Sequence, residues 1–312
     1  MGEKLAKQEK GTDQTTLERC VELLERLSKR VDDIDARLRQ QAQLTPAVIR
    51  ALLVSGMPLP PPYDLAVGRF GMYSQNEEDG LILSIFRRAG VANRRFVEIG
   101  CGVNGGNSGF LARELGWSGL MIDARRGAVE KIRIKFSGHD VRAEKQRVTR
   151  ESVNAFLEST GFAGEIDFLS IDIDGNDYWV WEAITACSPR VVGIEYNWLF
   201  GPSRAVTVPY DPLFVLDEAP TRSYRGASIA ALVHLGRRKG YRLVVGERVN
   251  AFFVRHDVAP DIIEIPAERA YRHPGNVGLD PFEKIARLGL TLVEVGDPIP
   301  AGLPAAEGDE SS

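Results

Sequence analysis

The chain has 312 residues, of which 44% are hydrophobic and 26% charged, so a wholly disordered protein is excluded. Its 39 basic and 43 acidic residues give a net charge of −4, which is too balanced to predict binding to nucleic acid or acidic lipid. Three widely separated cysteines favour neither a disulfide framework nor a structural zinc site. The sequence has no apolar run long enough for a membrane span or a signal peptide, so we expect a soluble, cytoplasmic protein.

The N-terminal part divides into three segments. Residues 1–14 are polar and predicted to be disordered. Residues 15–45 repeat apolar side chains at heptad spacing, with Leu17, Leu24, Val31 and Leu38 in one register and Cys20, Leu27 and Ile34 in the other. This pattern predicts a coiled-coil helix and hence a homo-oligomer, although a helix packed on its own domain is the alternative. Residues 46–68 are predicted to be a linker because their consecutive prolines do not fit inside a helix.

Residues 69–258 alternate between short apolar strands and helices. Five β-α units are followed by YRLVVGERVNAFFVR, which predicts a terminal hairpin. This order predicts an α/β fold with a doubly wound, mostly parallel, seven-stranded sheet, in which ligands bind at the carboxyl ends of the strands. Residues 259–296 follow as a C-terminal extension, and residues 297–312, rich in Pro, Ala and acidic side chains, are predicted to be a disordered tail.

A glycine-rich turn follows the first predicted strand in FVEIGCGVNGGNSGF. Gly100, Gly102 and Gly105 satisfy the GxGxxG pattern, which by itself is a weak indication of a dinucleotide. Glu98 precedes these glycines on an otherwise apolar strand, where its carboxylate suits a cationic ligand and repels a pyrophosphate. The alternative is a tight turn in which Glu98 is structural.

An acidic residue, Asp123, ends the second predicted strand 21 residues beyond Gly102. An acid at this position accepts hydrogen bonds from ribose hydroxyls. NAD and S-adenosylmethionine both contain such a ribose, so Asp123 indicates a nucleoside ligand without choosing between the two. Helix capping before Arg125 is the alternative role.

Three aspartates lie within six residues at the end of the fourth predicted strand, in SIDIDGNDY. Their mutual repulsion is costly unless a cation or a bound donor offsets it. The fifth strand ends in Glu195-Tyr196-Asn197, and adjacent strand ends bring these side chains together. Oxygen ligands suit a hard divalent cation rather than zinc, and the predicted ligands are Asp172, Asp174, Glu195 and Asn197. The alternative is a polar turn with a helix cap.

These motifs together resemble class I S-adenosylmethionine-dependent methyltransferases over about residues 70–256. VEIGCG is similar to their first motif, LMIDA to their ribose-binding strand end, and LSIDIDG to their fourth-strand motif. Within the class, YSQNEEDG, VVGIEYN and YRGASIAAL resemble the FkbM-like group. IDIDGNDY is similar to the acidic metal-binding segment of macrocin-type sugar O-methyltransferases. The resemblance implies a Rossmann-like methyltransferase fold that uses S-adenosylmethionine.

The resemblance also implies a donor site. The methionine part of the donor would be lined by Glu98, Gly100 and Gly102. Asp123 would hold the ribose, and Val148 and Thr149 would lie near the adenine. The full set of residues expected at the donor is Gln75, Glu98, Gly100, Cys101, Gly102, Asn107, Asp123, Val148, Thr149 and Asp172.

The implied reaction is O-methylation of a hydroxyl on a sugar, polysaccharide or glycosylated natural product, with assistance from Mg²⁺ or Mn²⁺. Asp172 and Asp174 are the expected catalytic carboxylates, as metal ligands or as the base, and His256 is the histidine to test as a base. The loop after the fifth strand supplies aromatics that suit either a sugar pocket or core packing, namely Trp198, Phe200, Tyr210 and Tyr224. Two other functions stay open, an NAD-dependent oxidoreductase and a non-catalytic coiled-coil assembly protein with a nucleoside-binding domain.

We predict that deleting residues 1–45 lowers the oligomeric state without abolishing donor binding, because the heptads lie outside the sheet domain. Light scattering of the two chains measures the mass per particle. An unchanged number of subunits would mean that this helix packs on its own domain.

Overall fold

The computed structural model describes residues 65–272 and 280–296, together with Arg19, Leu23 and Arg26. Those three residues are helical, and the rest of the predicted coiled coil lies outside the described residues, as do both termini predicted to be disordered. The chain divides into two compact units, Met1–Pro61 and Pro62–Ser312, and the second contains the sheet. Within the described residues, no helix is both long and apolar enough to cross a membrane.

A seven-stranded sheet forms the centre of the second unit. In chain order, the strands are β1 (Arg95–Ile99), β2 (Ser118–Asp123), β3 (Val141–Lys145), β4 (Gly164–Ile171), β5 (Cys187–Glu195), β6 (Val206–Thr207), β7 (Tyr241–Glu247), β8 (Asn250–Arg255) and β9 (Val293–Glu294). The spatial order is β3-β2-β1-β4-β5-β8-β7, and β8 is antiparallel to both of its neighbours. The short strands β6 and β9 pair with each other separately. The predicted α/β fold with a doubly wound, mostly parallel, seven-stranded sheet is confirmed.

Helices cover both faces of this sheet. They are α1 (Glu78–Ala89), α2 (Gly109–Leu115), α3 (Arg126–Lys135), α4 (Val153–Ser159), α5 (Asp177–Ala183), α6 (Ile229–Arg238), α7 (Ala267–Ala270) and α8 (Pro281–Arg287). Helices α1 to α3 pack against one face, and α4 to α6 pack against the other. Alternate strand residues therefore enter different core clusters, as Phe96 and Val97 do on β1.

The β7–β8 hairpin decides which residues reach the ligand edge of the sheet. Because β8 runs antiparallel to β5, Asn250 pairs with Glu195 at the carboxyl end of β5, and Val254 pairs with Val191. His256 follows β8, and its backbone N–H donates to the Gly240 carbonyl. It therefore lies at the opposite edge of the sheet from the acidic residues. Because the strand that precedes it is reversed, the structure does not bring His256, the histidine proposed as a base, to the acidic residues.

The sheet unit extends beyond the predicted boundaries of residues 69–258. Leu65–Gly68 form a 3-10 turn, and Leu65 is buried in the core, so the end of the predicted linker belongs to the fold. The described part of the C-terminal extension also packs on it, through the pairing of β9 with β6 and through buried Ala267 and Ala270.

We predict that Gly100→Ala destabilises the fold by about 3 kcal/mol or more, and that Gly116→Ala costs about 1 kcal/mol. Both glycines have a positive φ, 91° and 65°. A Cβ at Gly100 would lie 1.7 Å from the Asp172 carbonyl oxygen, whereas one at Gly116 would meet no atom within 4 Å. Urea unfolding measures the stability of both variants. Gly116→Ala reports the backbone strain alone, and the additional loss in Gly100→Ala reports the steric clash. Equal losses would contradict the close approach at Gly100.

Candidate active site

A cavity of about 640 Å³ lies at the carboxyl ends of β1, β2, β4 and β5. Its size falls within the range of small-molecule sites in proteins. At one end it is lined by the glycine turn and Asp123, and at the other by Asp172, Asp174 and Glu195. The donor site and the carboxylate site, which were predicted from separate motifs, therefore share one cavity.

Strand register brings these two sites together. Ile99 of β1 is paired with Ile171 of β4, so the turns that follow these strands begin side by side. The Asp172 N–H donates to the Ile99 carbonyl at 2.9 Å, and Gly100 lies directly against the Asp172 carbonyl. A side chain at residue 100 would separate the turns, so glycine is needed there for the close approach.

Most residues predicted at the donor site line this cavity. They are Gln75, Gly100, Cys101, Gly102, Asn107, Asp123, Val148 and Asp172. Glu98 and Thr149 do not belong to the lining. The Thr149 hydroxyl instead accepts a hydrogen bond from the Ser152 N–H at the beginning of α4. Burial raises the pKa of the Cys101 thiol, which is therefore neutral at pH 7.

Glu98 lies fully buried behind the cavity wall. Its carboxyl group accepts hydrogen bonds from the Ser108 hydroxyl at 2.5 Å and from the Asn107 N–H at 3.2 Å. The Asn107 side chain in turn donates to the Ser170 hydroxyl, which ties the glycine turn to β4. Removal from water raises the pKa of Glu98 to about 8. In the structure Glu98 thus supports the turn that lines the cavity. This is the structural role that the sequence analysis gave as the alternative.

Asp123 contacts both the glycine turn and the next segment of chain. It accepts a hydrogen bond from the Gly102 N–H at 3.0 Å and from the Arg125 N–H at 2.8 Å. The Arg125 guanidinium also pairs with it, through a side chain that is 72% exposed. Asp123 therefore accepts the hydrogen bond from the Arg125 N–H expected of a helix cap and also lines the cavity.

Three carboxylates at the other end lie close enough to share one ligand. One oxygen each from Asp172, Asp174 and Glu195 lies within 4.8 Å of the others. Removal from water, reinforced by the charge of Asp174, raises the pKa of Asp172 to about 6. Burial and the neighbouring Asp172 also raise the pKa of Glu195 well above its ordinary value. The third aspartate of the motif, Asp177, is fully buried and accepts hydrogen bonds from the Ile173 and Gly175 N–H groups, so it closes the turn.

A cation that the sequence analysis missed, Arg225, reaches these carboxylates. Its guanidinium lies 2.9 Å from Asp174 Oδ1 and 3.5 Å from Glu195 Oε1. It belongs to the YRGASIAAL motif, which the sequence analysis did single out. No local spacing, however, connects Arg225 with Glu195 and Asp174, which lie 30 and 51 positions earlier. Neighbouring strand ends therefore supply the acids, and a distant loop supplies the cation.

Asn197, predicted as a metal ligand, contacts that loop rather than the carboxylates. Its Oδ1 accepts a hydrogen bond from the Leu199 N–H at 3.0 Å. Its Nδ2 donates to the Ser223 and Arg225 carbonyls, both at 2.9 Å. Both ends of its amide are therefore bonded to backbone groups of residues 199, 223 and 225. Its amide holds the segment that carries Arg225.

The aromatic wall of the cavity differs from the predicted one. Phe214 lines it and packs so closely on Gly175 that a Cβ there would lie 2.3 Å from the ring. Phe200 instead stacks on Phe282, with ring centroids 5.7 Å apart. None of the four loop aromatics proposed from the sequence belongs to the cavity lining. The core-packing alternative applies to Trp198, Phe200 and Tyr224, which pack in hydrophobic clusters. Tyr210 is half-buried, and its ring lies edge-on to Trp179.

No protein-family model matches the chain, and no curated protein sequence matches it significantly. Solved structures with a similar fold include the N-terminal domain of EvdMO1 in the presence of SAH and D-fucose. It has 13% identity and a TM-score of 0.38, and the match covers 57% of this chain and 82% of that one. An S-adenosylmethionine-dependent methyltransferase from Clostridium acetobutylicum has 11% identity and a TM-score of 0.36, with 56% and 89% covered. Similarity at this level does not establish a function.

We predict that Glu98→Gln flattens the pH dependence of stability between pH 5 and pH 8. The pKa of Glu98 is raised from 4.5 to about 8 on folding, so the folded protein binds a proton that the unfolded chain has released. The stabilisation is fully present below pH 4.5 and is lost as the pH rises to about 8, with a slope of at most about 1.4 kcal/mol per pH unit.

Urea unfolding across this pH range measures the effect, with Glu158→Gln on an exposed helix position as the matched control. Parallel pH profiles for the wild type and Glu98→Gln would show that Glu98 is ionised throughout.

Proposed function

We propose that this chain is an S-adenosylmethionine-dependent O-methyltransferase that acts on a hydroxyl of a sugar, polysaccharide or glycosylated natural product. The observation that carries the proposal is the single cavity that joins a glycine turn and Asp123 at one end to three carboxylates at the other. A nucleoside donor and a hydroxyl acceptor placed at these two ends would meet in its middle. We also propose that residues 15–45 join the chain into a homo-oligomer.

The donor end suits a nucleoside that carries a positive charge. Close backbone approach at Gly100 and Gly102 leaves room for the ligand, and Asp123 can accept hydrogen bonds from ribose hydroxyls once Arg125 moves aside. Asp172 places negative charge at the junction of the two ends, which favours a sulfonium over the pyrophosphate of NAD. When bound, S-adenosylmethionine supplies an electrophilic methyl group.

The acceptor end can orient a hydroxyl and accept its proton. The carboxylates of Asp172, Asp174 and Glu195 are hydrogen-bond acceptors, so they suit a ligand with several O–H groups. With a pKa of about 6, Asp172 is largely ionised at pH 7 and is the closest match to a general base. The acceptor oxygen then forms a bond to the methyl carbon as the sulfur–methyl bond breaks, and Asp172 takes the proton.

The predicted divalent cation fits the chemistry of this end. Asp172, Asp174 and Glu195 offer three hard oxygen ligands within one ion's reach, and Arg225 already supplies positive charge to two of them. The three carboxylates would hold the ion, and a bound ion would lower the pKa of an acceptor hydroxyl. Arg225 would have to give way as the ion enters.

We predict that Asp123→Asn weakens S-adenosylhomocysteine binding about 10- to 100-fold, because a charged acceptor for two ribose hydroxyls is lost. Titration calorimetry measures the affinity, and Asp140→Asn at an exposed position is the matched control. NAD is titrated in parallel. Binding of NAD without S-adenosylhomocysteine would overturn the proposal in favour of an oxidoreductase, and unchanged affinity in Asp123→Asn would refute its role.

We predict that chelation lowers turnover of a glycan acceptor and that Mg²⁺ or Mn²⁺ restores it. Asp174→Asn should weaken Mn²⁺ binding at least about tenfold, measured by electron paramagnetic resonance, and leave S-adenosylhomocysteine affinity unchanged. Asp140→Asn again serves as the control. Full turnover in excess chelator would exclude the metal and leave proton removal to Asp172.

A further inference from the structure

A buried asparagine on the acceptor side of the cavity has no role in the site described so far. Asn250 begins β8, lines the cavity and is only 3% exposed. It is paired across the sheet with Glu195, one of the three carboxylates. The hairpin that removes His256 from this edge therefore brings Asn250 to it.

The Asn250 side chain is fixed on one side and unsatisfied on the other. Its Nδ2 donates to Glu78 Oε1 at 3.0 Å. Glu78 is itself fully buried and is held by the N–H and the side-chain amide of Asn76, both at 2.8 Å. The Asn250 Oδ1 is buried without a hydrogen-bond partner among the described residues. A buried acceptor in this state is costly, and such groups are rare in folded proteins unless something else satisfies them.

We propose that Asn250 is a substrate-contacting residue whose Oδ1 accepts a hydrogen bond from a second hydroxyl of the acceptor. Because one amide N–H of Asn250 donates to Glu78, the carboxamide is held with its Oδ1 turned away from Glu78, as an acceptor for a ligand. The neighbouring Asp172, Asp174 and Glu195 also offer acceptors. A molecule with two or more nearby O–H groups complements these acceptors. This inference rests on the proposed function and specifies how its acceptor is recognised.

Glu78 is the positioning residue in this arrangement. Its carboxylate fixes which end of the amide faces Glu78, and so which end remains for the ligand. The YSQNEEDG segment therefore contributes twice to the cavity, since Gln75 lines it and Glu78 orients Asn250. Replacing the carboxylate should disturb acceptor binding while the donor end, built by other residues, stays intact.

The test uses methyl α-D-glucopyranoside, methyl α-D-mannopyranoside and methyl α-L-rhamnopyranoside as probes, together with their monodeoxy analogues. Each is titrated into the full-length chain by ligand-observed NMR, with and without saturating S-adenosylhomocysteine. We expect Asn250→Ala to weaken binding of the best glycoside about tenfold, because one hydrogen bond to the ligand is lost. One deoxy analogue should show the same loss with the wild type and no further loss with Asn250→Ala.

Two further variants keep the result interpretable. Glu78→Gln should also weaken the glycoside without changing the affinity for S-adenosylhomocysteine, a split that a general loss of stability would not produce. Asn93→Ala, at an asparagine that bonds to the Glu165 carbonyl at the far edge of the sheet, should leave glycoside binding unchanged.

Three results would overturn the role of Asn250. These are wild-type affinity in folded Asn250→Ala, equal losses for every deoxy analogue in both proteins, and no glycoside binding by the wild type. Calorimetry of S-adenosylhomocysteine on the same samples reports on the donor end separately. If only the glycoside titrations fail, the acceptor contact of Asn250 is refuted. If the wild type does not bind S-adenosylhomocysteine, the proposed methyltransferase function is refuted.

Discussion

The parallel pairing of β1 with β4 is the constraint on which the rest of the site depends. It brings the turn at Gly100 against the carbonyl of Asp172, so that two loops from separate parts of the chain become one wall. The connections that follow this pair lead in opposite directions, from β1 to β2 and from β4 to β5, and the cavity lies at this switch in strand order. A sheet built in this order places ligand-binding groups at a single edge, whatever chemistry the loops then supply.

The buried carboxyl groups at the two turns divide between supporting the fold and facing the cavity. Glu98 and Asp177 are fully buried and satisfied by local donors, so they hold the two turns in shape. Asp172 and Glu195 instead face the cavity. Removal from water raises the pKa of both, reinforced by Asp174 for Asp172 and by Asp172 for Glu195. Aspartates of one motif therefore have different roles, since Asp177 closes the turn and Asp172 faces the cavity. The backbone N–H groups near Asp177 account for the difference.

Several features follow from the sequence because they depend on local pattern. Alternating strands and helices predicted the sheet, and glycines after the helices marked their ends, as at Gly90 and Gly116. The acid clusters after β4 and β5 predicted a carboxylate site, since parallel strands must end at the same edge. What this reasoning missed, Arg225 and Phe214, comes from a long loop whose path has no periodic signal.

The sequence by itself determined the fold class, the strand ends that form the site and the residue types available there. Only the tertiary structure decided which of those side chains face the cavity. Strand direction moved His256 to the far edge and Asn250 to the near one, and a turn buried Glu98 behind the wall. Local patterns specify how a segment is built, but direction and facing depend on packing against residues distant in the chain, which no short stretch of sequence contains.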